Sequence, residues 1–243
     1  MNQPLNNGGA ISPNHSVRRF NTLLKHRQMA RYLEIGVFTG DTFRQIQAQH
    51  KIAVDPNFLF DPKTEEDQDS QYFEVTSDQY FQDHAPNEPF DLAFIDGLHT
   101  FEQCLRDLMN VLSVTHNESI IVIDDTVPSD IFSTLPSMEA AHRFRQQHGQ
   151  SERPKAWHGD VFKVVFFIHQ FLPWLSYVTT EENGNGQTFV WRNQKQRDVT
   201  WGEPLETLSK LDWFALQSHL DVLNLQPEQT ALDLVLSDIQ HNQ

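Results

Sequence analysis

Five short runs rich in β-branched and aromatic residues follow one another in the first half of the chain, at residues 32–35, 52–55, 73–76, 92–96 and 120–124. Several are almost continuously apolar, as in Ile52-Ala53-Val54, Leu92-Ala93-Phe94-Ile95 and Ile120-Ile121-Val122-Ile123. Strands buried on both faces read this way, which predicts a parallel sheet covered by helices. Residues 42–50 and 77–84 are the expected first and third crossover helices. After the fourth run, Leu98, Phe101, Cys104, Leu105, Leu108 and Leu112 recur at helical spacing. The second crossover, 57–71, is acidic and polar with Pro62 inside it and Pro56 just before it, and predicts an irregular loop.

The pattern then changes. Residues 175–180 and 187–192 both read as strands, and the segment between them is too short for a parallel crossover and carries two Asn-Gly steps. That predicts an antiparallel hairpin. The expected fold is α/β, a seven-stranded, mostly parallel sheet with one reversed strand and helices on both faces. Leu205, Leu208, Leu211, Phe214 and Leu220 suggest a further helix, and residues 231–239 another. The domain expectation is a disordered polar tail over 1–16, an α/β domain over 17–195 and a helical appendage over 196–243. The appendage would pack on the domain or form a homo-oligomer surface.

The chain has 243 residues, 38% of them hydrophobic, enough for one sizeable domain. Its net charge of −15 argues against nucleic acid or an anionic membrane as partner. The one compact basic cluster, Arg18, Arg19, Lys25, His26 and Arg27, reads as a solvated helix face. Cys104 is the only cysteine, so no intrachain disulfide can form, and a reducing compartment fits. The longest apolar stretch, 161–172, is broken by Lys163, His169 and Gln170, short of a membrane span. The N-terminus has no secretory-signal pattern, so the cytoplasm is the expected location.

The first strand runs into Glu34-Ile35-Gly36-Val37-Phe38-Thr39-Gly40. Gly36 permits a tight turn and close backbone approach to a ligand, and Gly40 lets the next element start near the sheet. A dinucleotide fingerprint needs a second glycine where Phe38 stands, so a nucleoside ligand without a pyrophosphate fits better. Asp55, about 20 residues on, is placed to accept ribose hydroxyls, although Asp55-Pro56 also reads as a strand-ending turn. Ser77 and Asp78 follow the third strand, where an adenine would lie, and equally suit a helix N-cap.

Asp96 ends the fourth strand, and Asp124 and Asp125 end the fifth. Ligands of open α/β sheets bind beyond the carboxyl ends of the strands. Three carboxylates converging there repel one another unless a cation intervenes. Their hard oxygens suit Mg²⁺, Ca²⁺ or Mn²⁺ rather than zinc. The other reading gives one aspartate a turn to cap and another the cofactor amine to orient. His99, three residues after Asp96, is a candidate general base or a structural hydrogen-bonding residue.

Together YLEIGVFTGDTF, IAVDP, FDLAFIDGLHTFEQCLRDL and SIIVIDDTVP resemble class I S-adenosylmethionine-dependent methyltransferases, which have a Rossmann-like sheet. The nearer resemblance is to the macrocin and mycinamicin type of sugar O-methyltransferase, over residues 18–192. It implies S-adenosyl-L-methionine as cofactor, held by Glu34, Gly36, Val37, Thr39, Gly40, Thr42, Asp55, Ser77, Asp78 and Asp96. It implies Asp96, Asp124 and Asp125 as ligands of a metal, Mg²⁺ as the expected ion, and His99 as the base. The acceptor would be a hydroxyl of a small molecule, a sugar or natural product. The turn Trp157-His158-Gly159-Asp160 would be an active-site lid. The acidic stretch 61–69 and the segment after Arg192 lie outside the resemblance. Two other classes remain open, a nicotinamide-dependent oxidoreductase and a non-catalytic nucleoside-binding protein.

Overall fold

The computed structural model describes residues 14–25, 27–84, 86, 88–148, 156–181, 186–193 and 195–241. Most of the expected N-terminal tail, His26 and residues 182–185 of the hairpin link lie outside them. Eight strands form one sheet: β1 (Arg31–Ile35), β2 (His50–Val54), β3 (Ser70–Phe73), β4 (Phe90–Ile95), β5 (Thr115–Val127), β6 (Leu175–Thr180), β7 (Gly186–Arg192) and β8 (Leu225–Gln226). Their order is β3-β2-β1-β4-β5-β7-β6-β8. Only β7 runs against its neighbours, pairing antiparallel with both β5 and β6. The sheet is Rossmann-like with the expected reversed strand. Beyond the seven expected strands, a two-residue strand, β8, pairs parallel with β6.

Among the described residues eight α-helices accompany the sheet: α1 (His15–Leu24), α2 (Ser77–Asp83), α3 (Phe101–Ser113), α4 (Met138–His148), α5 (Phe162–Phe171), α6 (Leu205–Leu208), α7 (Trp213–Ser218) and α8 (Glu228–His241). Strand alternation sends Leu33, Ile35, Val54, Ile95 and Ile123 to one face, where they pack with α2, α3 and α5 and with Leu208, Leu216 and Leu223. Tyr32, Ala53, Phe94, Val122 and Phe189 face the other way, onto Phe20 and Leu23 of α1 and Ala231 and Val235 of α8. The segment after Arg192 thus contributes to both cores. No helix among the described residues is long and apolar enough to cross a membrane.

Three expectations are corrected. The helix expected over 42–50 is one 3-10 turn, Phe43–Gln45. Asn21 of α1 donates to the Gln45 carbonyl and accepts from the Gln47 amide, the groups that would carry a helix onward. Gln49 N–H bonds instead to the Ala30 carbonyl. The third strand, expected at 73–76, lies at Ser70–Phe73, because Thr76 is the N-cap of α2 with a complete capping box to Gln79. The helix expected from Leu205 to Leu220 is broken into α6, α7 and a 3-10 turn, Leu220–Leu223, with Asp212 capping α7. Among elements with no sequence expectation, α4 matters most for the site.

Candidate active site

In the sheet order β1 and β4 are neighbours, and the chain departs in opposite directions from them, to β2 on one side and β5 on the other. A cleft of about 930 Å³ opens beyond the carboxyl ends of these strands, within the range of small-molecule sites. It is lined by Glu34, Gly36, Val37, Thr39, Thr42, Asp55, Ser77, Asp78, Asp96, His99, Asp124 and Asp125. Of the residues expected at the site, only Gly40 does not line it. Gly40 has φ +77° and its N–H bonds to the Val37 carbonyl, so it closes the turn.

Gly36 has φ +84°, and a Cβ there would lie 1.9 Å from the Asp96 carbonyl oxygen. Absence of a side chain lets β1 and β4 meet at the cleft floor. Asp55 organises the loop above it. One carboxylate oxygen accepts from the Val37 and Phe38 amides at 2.7 and 2.8 Å, and the other from Asn57 N–H at 2.8 Å. Phe38 itself is left-handed (φ +52°) and 63% exposed at the cleft. Glu34 is buried and accepts from the Tyr32 hydroxyl at 2.6 Å. Burial raises its pKa to about 8, against the opposing Tyr32 hydrogen bond.

Asp124 and Asp125 are consecutive in β5, where regular pleating would send their side chains to opposite faces. Asp125 has φ +59° and the register with β7 shifts between Ile123 and Val127. This irregularity lets both carboxylates line the cleft. His99 Nε2 lies 3.0 Å from Asp125 Oδ2 and 3.7 Å from Asp96 Oδ1. His158 Nε2 lies 3.9 Å from the other oxygen of Asp125. Donor atoms of Asp96, His99 and Asp125 all fall within 4.8 Å of one another. Asp124 lines the same cleft.

The His99 ring is fixed from its other side. Its Nδ1 is 2.9 Å from the Trp157 carbonyl. A carbonyl only accepts, so Nδ1 carries a hydrogen and Nε2 faces the carboxylates. The ring stacks on the Trp157 indole at 4.8 Å. Burial disfavours the imidazolium, but hydrogen bonds and charge from Asp125 and Asp96 prevail and raise its pKa to about 11. Asp96 moves upward to about 6, through burial and the nearby Asp125 and Asp55 charges.

Sequence reasoning missed Asp107 and Gln103 of α3 and Met138 of α4, all of which line the cleft. Asp107 carried a signal: it interrupts the apolar stripe Cys104, Leu108, Val111 and is 1% exposed. Gln103 Nε2 donates to Asp107 at 3.0 Å and to Ser77 at 3.2 Å. Burial raises the Asp107 pKa to about 6, against the Ser77 and Gln103 hydrogen bonds.

Residues 33–126 match a protein family described as a methyltransferase domain. Among solved structures, the O-methyltransferase of Bacillus cereus in complex with S-adenosylhomocysteine is 14% identical, covering 75% of this chain and 82% of its own, with a TM-score of 0.50. The O-methyltransferase TomG of Streptomyces achromogenes, involved in tomaymycin synthesis and solved with S-adenosylmethionine, is 15% identical over 75% of this chain and 81% of its own, with a TM-score of 0.46. No curated protein matches the chain. Residues 33–126 are therefore similar to a methyltransferase domain, and they lie in a Rossmann-like sheet with one reversed strand.

Proposed function

We propose that the protein transfers the methyl group of S-adenosylmethionine to a hydroxyl of a small molecule, a sugar or natural product, with His99 as general base. One observation carries this reading: the Gly36 loop and the Asp96, His99 and Asp125 group line a single cleft. A nucleoside cofactor would lie over Gly36, with Val37, Thr39 and Thr42 beside it and Ser77 and Asp78 at its base. Asp55 accepts three backbone N–H bonds, so it shapes the loop and has limited capacity left for ribose hydroxyls.

The convergence of two carboxylates and one imidazole fits a divalent cation, with Asp124 supplying a further hard oxygen. Asp96, Asp124 and Asp125 would hold it, Mg²⁺ being the first choice, and a cation there would lower the pKa of an acceptor hydroxyl. His99 is held protonated by Asp96 and Asp125 while it pairs with them. In its neutral form His99 Nε2, which faces the cleft, would accept the acceptor's proton, a contribution of about 10²–10⁴-fold. The sheet and residues 156–159 hold Asp96, His99 and Asp125 in fixed relation, which would favour an acceptor oxygen positioned for displacement at the methyl carbon.

The test is kinetic. With a turned-over acceptor, chelation and His99→Ala should each suppress S-adenosylhomocysteine formation strongly. Unchanged turnover under both treatments would sink the metal-and-base mechanism. Titration with S-adenosylhomocysteine and NAD tests the cofactor separately, and binding of NAD alone would favour an oxidoreductase.

A further inference from the structure

Between β5 and α5, residues 156–159 lie against His99. The described residues before them include a 3-10 turn, Ile131–Thr134, and α4. Residues 156–159 make the His99 contacts: the Trp157 carbonyl to Nδ1 and the indole against the ring. Gly159 completes the fit, because a Cβ there would lie 1.7 Å from the His99 carbonyl oxygen.

This segment is tied to an ion pair that touches neither the cleft nor His99. Arg145 of α4 is 3% exposed. Its Nε and Nη2 donate to the two oxygens of Asp130 at 3.0 and 2.9 Å. The same Nη2 donates to the Ala156 carbonyl at 2.9 Å, one residue before Trp157. Asp130 in turn caps the 3-10 turn through Ser133 N–H at 2.8 Å. The Ser133 carbonyl accepts from both His158 and Gly159 N–H, and the Leu135 carbonyl accepts from the Trp157 indole at 2.8 Å. These hydrogen bonds tie residues 156–159 to the 3-10 turn, its C-cap and α4, which Asp130 and Arg145 join.

We propose that Asp130 and Arg145 are positioning residues for His99, which act through the backbone of residues 156–159 to hold the Trp157 carbonyl on Nδ1. This rests on the reading of His99 as part of the reacting group. A planar guanidinium suits the task because one fork can serve a carboxylate and a carbonyl at once. A ring orientation fixed by a hydrogen bond at the remote nitrogen is a common device where the near nitrogen does chemistry.

The experiment is NMR of the full chain labelled with ¹⁵N-histidine. The hydrogen-bonded ring N–H of His99 is identified as the signal missing in His99→Asn. In the double variant Asp130→Leu/Arg145→Met, which removes both buried charges together, that signal should vanish while S-adenosylhomocysteine affinity stays within about twofold of wild type. In turnover the same variant should lose about 10–100-fold in kcat, with the cofactor KM unchanged. Arg145→Lys keeps the charge without the fork and should recover part of the signal. A ring N–H that persists in the double variant overturns the proposal. So does a loss of the signal accompanied by an equal loss of cofactor affinity, which marks general loosening. Failure of the wild type to bind S-adenosylhomocysteine would instead count against the methyltransferase reading, and leaves the ring N–H test legible.

Discussion

Glu34 is a carboxyl that the fold holds in its neutral form. It is 2% exposed beneath the cleft floor, and burial raises its pKa from 4.5 to about 8. The unfolded chain releases this proton near 4.5 and the folded one near 8, so the proton favours the folded state. Its stabilising effect is full below about 4.5 and is lost as pH rises through about 8. Glu34→Gln mimics the neutral form and still accepts from Tyr32. In urea melts the variant should match wild type in midpoint near pH 4.5 and have the higher midpoint at pH 8, where its unfolding free energy is larger by on the order of a few kcal/mol. Equal midpoints at both pH values would show that Glu34 ionises freely in the fold. Gly36 permits a sharper test. Gly36→Ala would put a methyl group 1.9 Å from the Asp96 carbonyl oxygen at a φ of +84°. It should abolish binding of S-adenosylhomocysteine in a calorimetric titration, whereas retained affinity would mean that the loop tolerates a wider turn.

Between elements, the outer helices α1 and α8 meet through Glu228. Its carboxylate accepts from Arg19 at 2.7 Å and from Arg18 at 2.6 Å, and Arg19 reaches Gln187 of β7 at 2.9 Å. Arg19 has a side chain 1% exposed, whereas that of Arg18 is 41% exposed. Glu228→Ala leaves a buried guanidinium without its carboxylate, and should lower the unfolding free energy by about 3–5 kcal/mol. Arg18→Ala should change it by less than about 1 kcal/mol, and urea melts separate the two. Similar losses from both would show that the pair is effectively solvated. The ladder that these helices cover was readable from the chain. Runs such as Ile120-Ile121-Val122-Ile123 admit few structures other than a buried parallel strand, and the short link after Thr180 forces β7 to turn back. What was illegible depended on contacts between distant residues. Nothing near Gln45 announces that Asn21 takes its carbonyl, and nothing near His99 announces that Trp157, 58 residues on, will fix its ring. The motif spacing showed which residues reach the cleft, since strand ends sit together in any such sheet. The groups that hold those residues still come from α4 and its flanks, where no periodicity points to a ligand.

At the scale of the whole molecule, the net charge of −15 extends into the cleft where chemistry is expected. Among the described residues the cleft is lined by eight Asp or Glu side chains and by no Lys or Arg. Part of this charge is answered locally. Arg106 pairs with Asp78, Arg44 lies 3.8 Å from Asp41, and His99 pairs with Asp125. A sulfonium cofactor and a divalent cation would answer more of it. Among the described residues the one cationic group lining the cleft is His99, which its paired carboxylates already engage, and Trp157, Met138 and Ala156 add apolar surface to the lining. An acceptor bearing phosphate or carboxylate would enter against this field and find no bidentate partner inside. A neutral or cationic acceptor with an apolar body meets neither obstacle. Among acceptors that differ only in one substituent, the anionic member should therefore show the lowest kcat/KM. The gap should narrow as salt rises, because screening weakens exclusion at a distance. The sign of the ranking is decisive, because a cleft built for an anion would prefer the carboxylate member at low salt and lose that preference as salt is added.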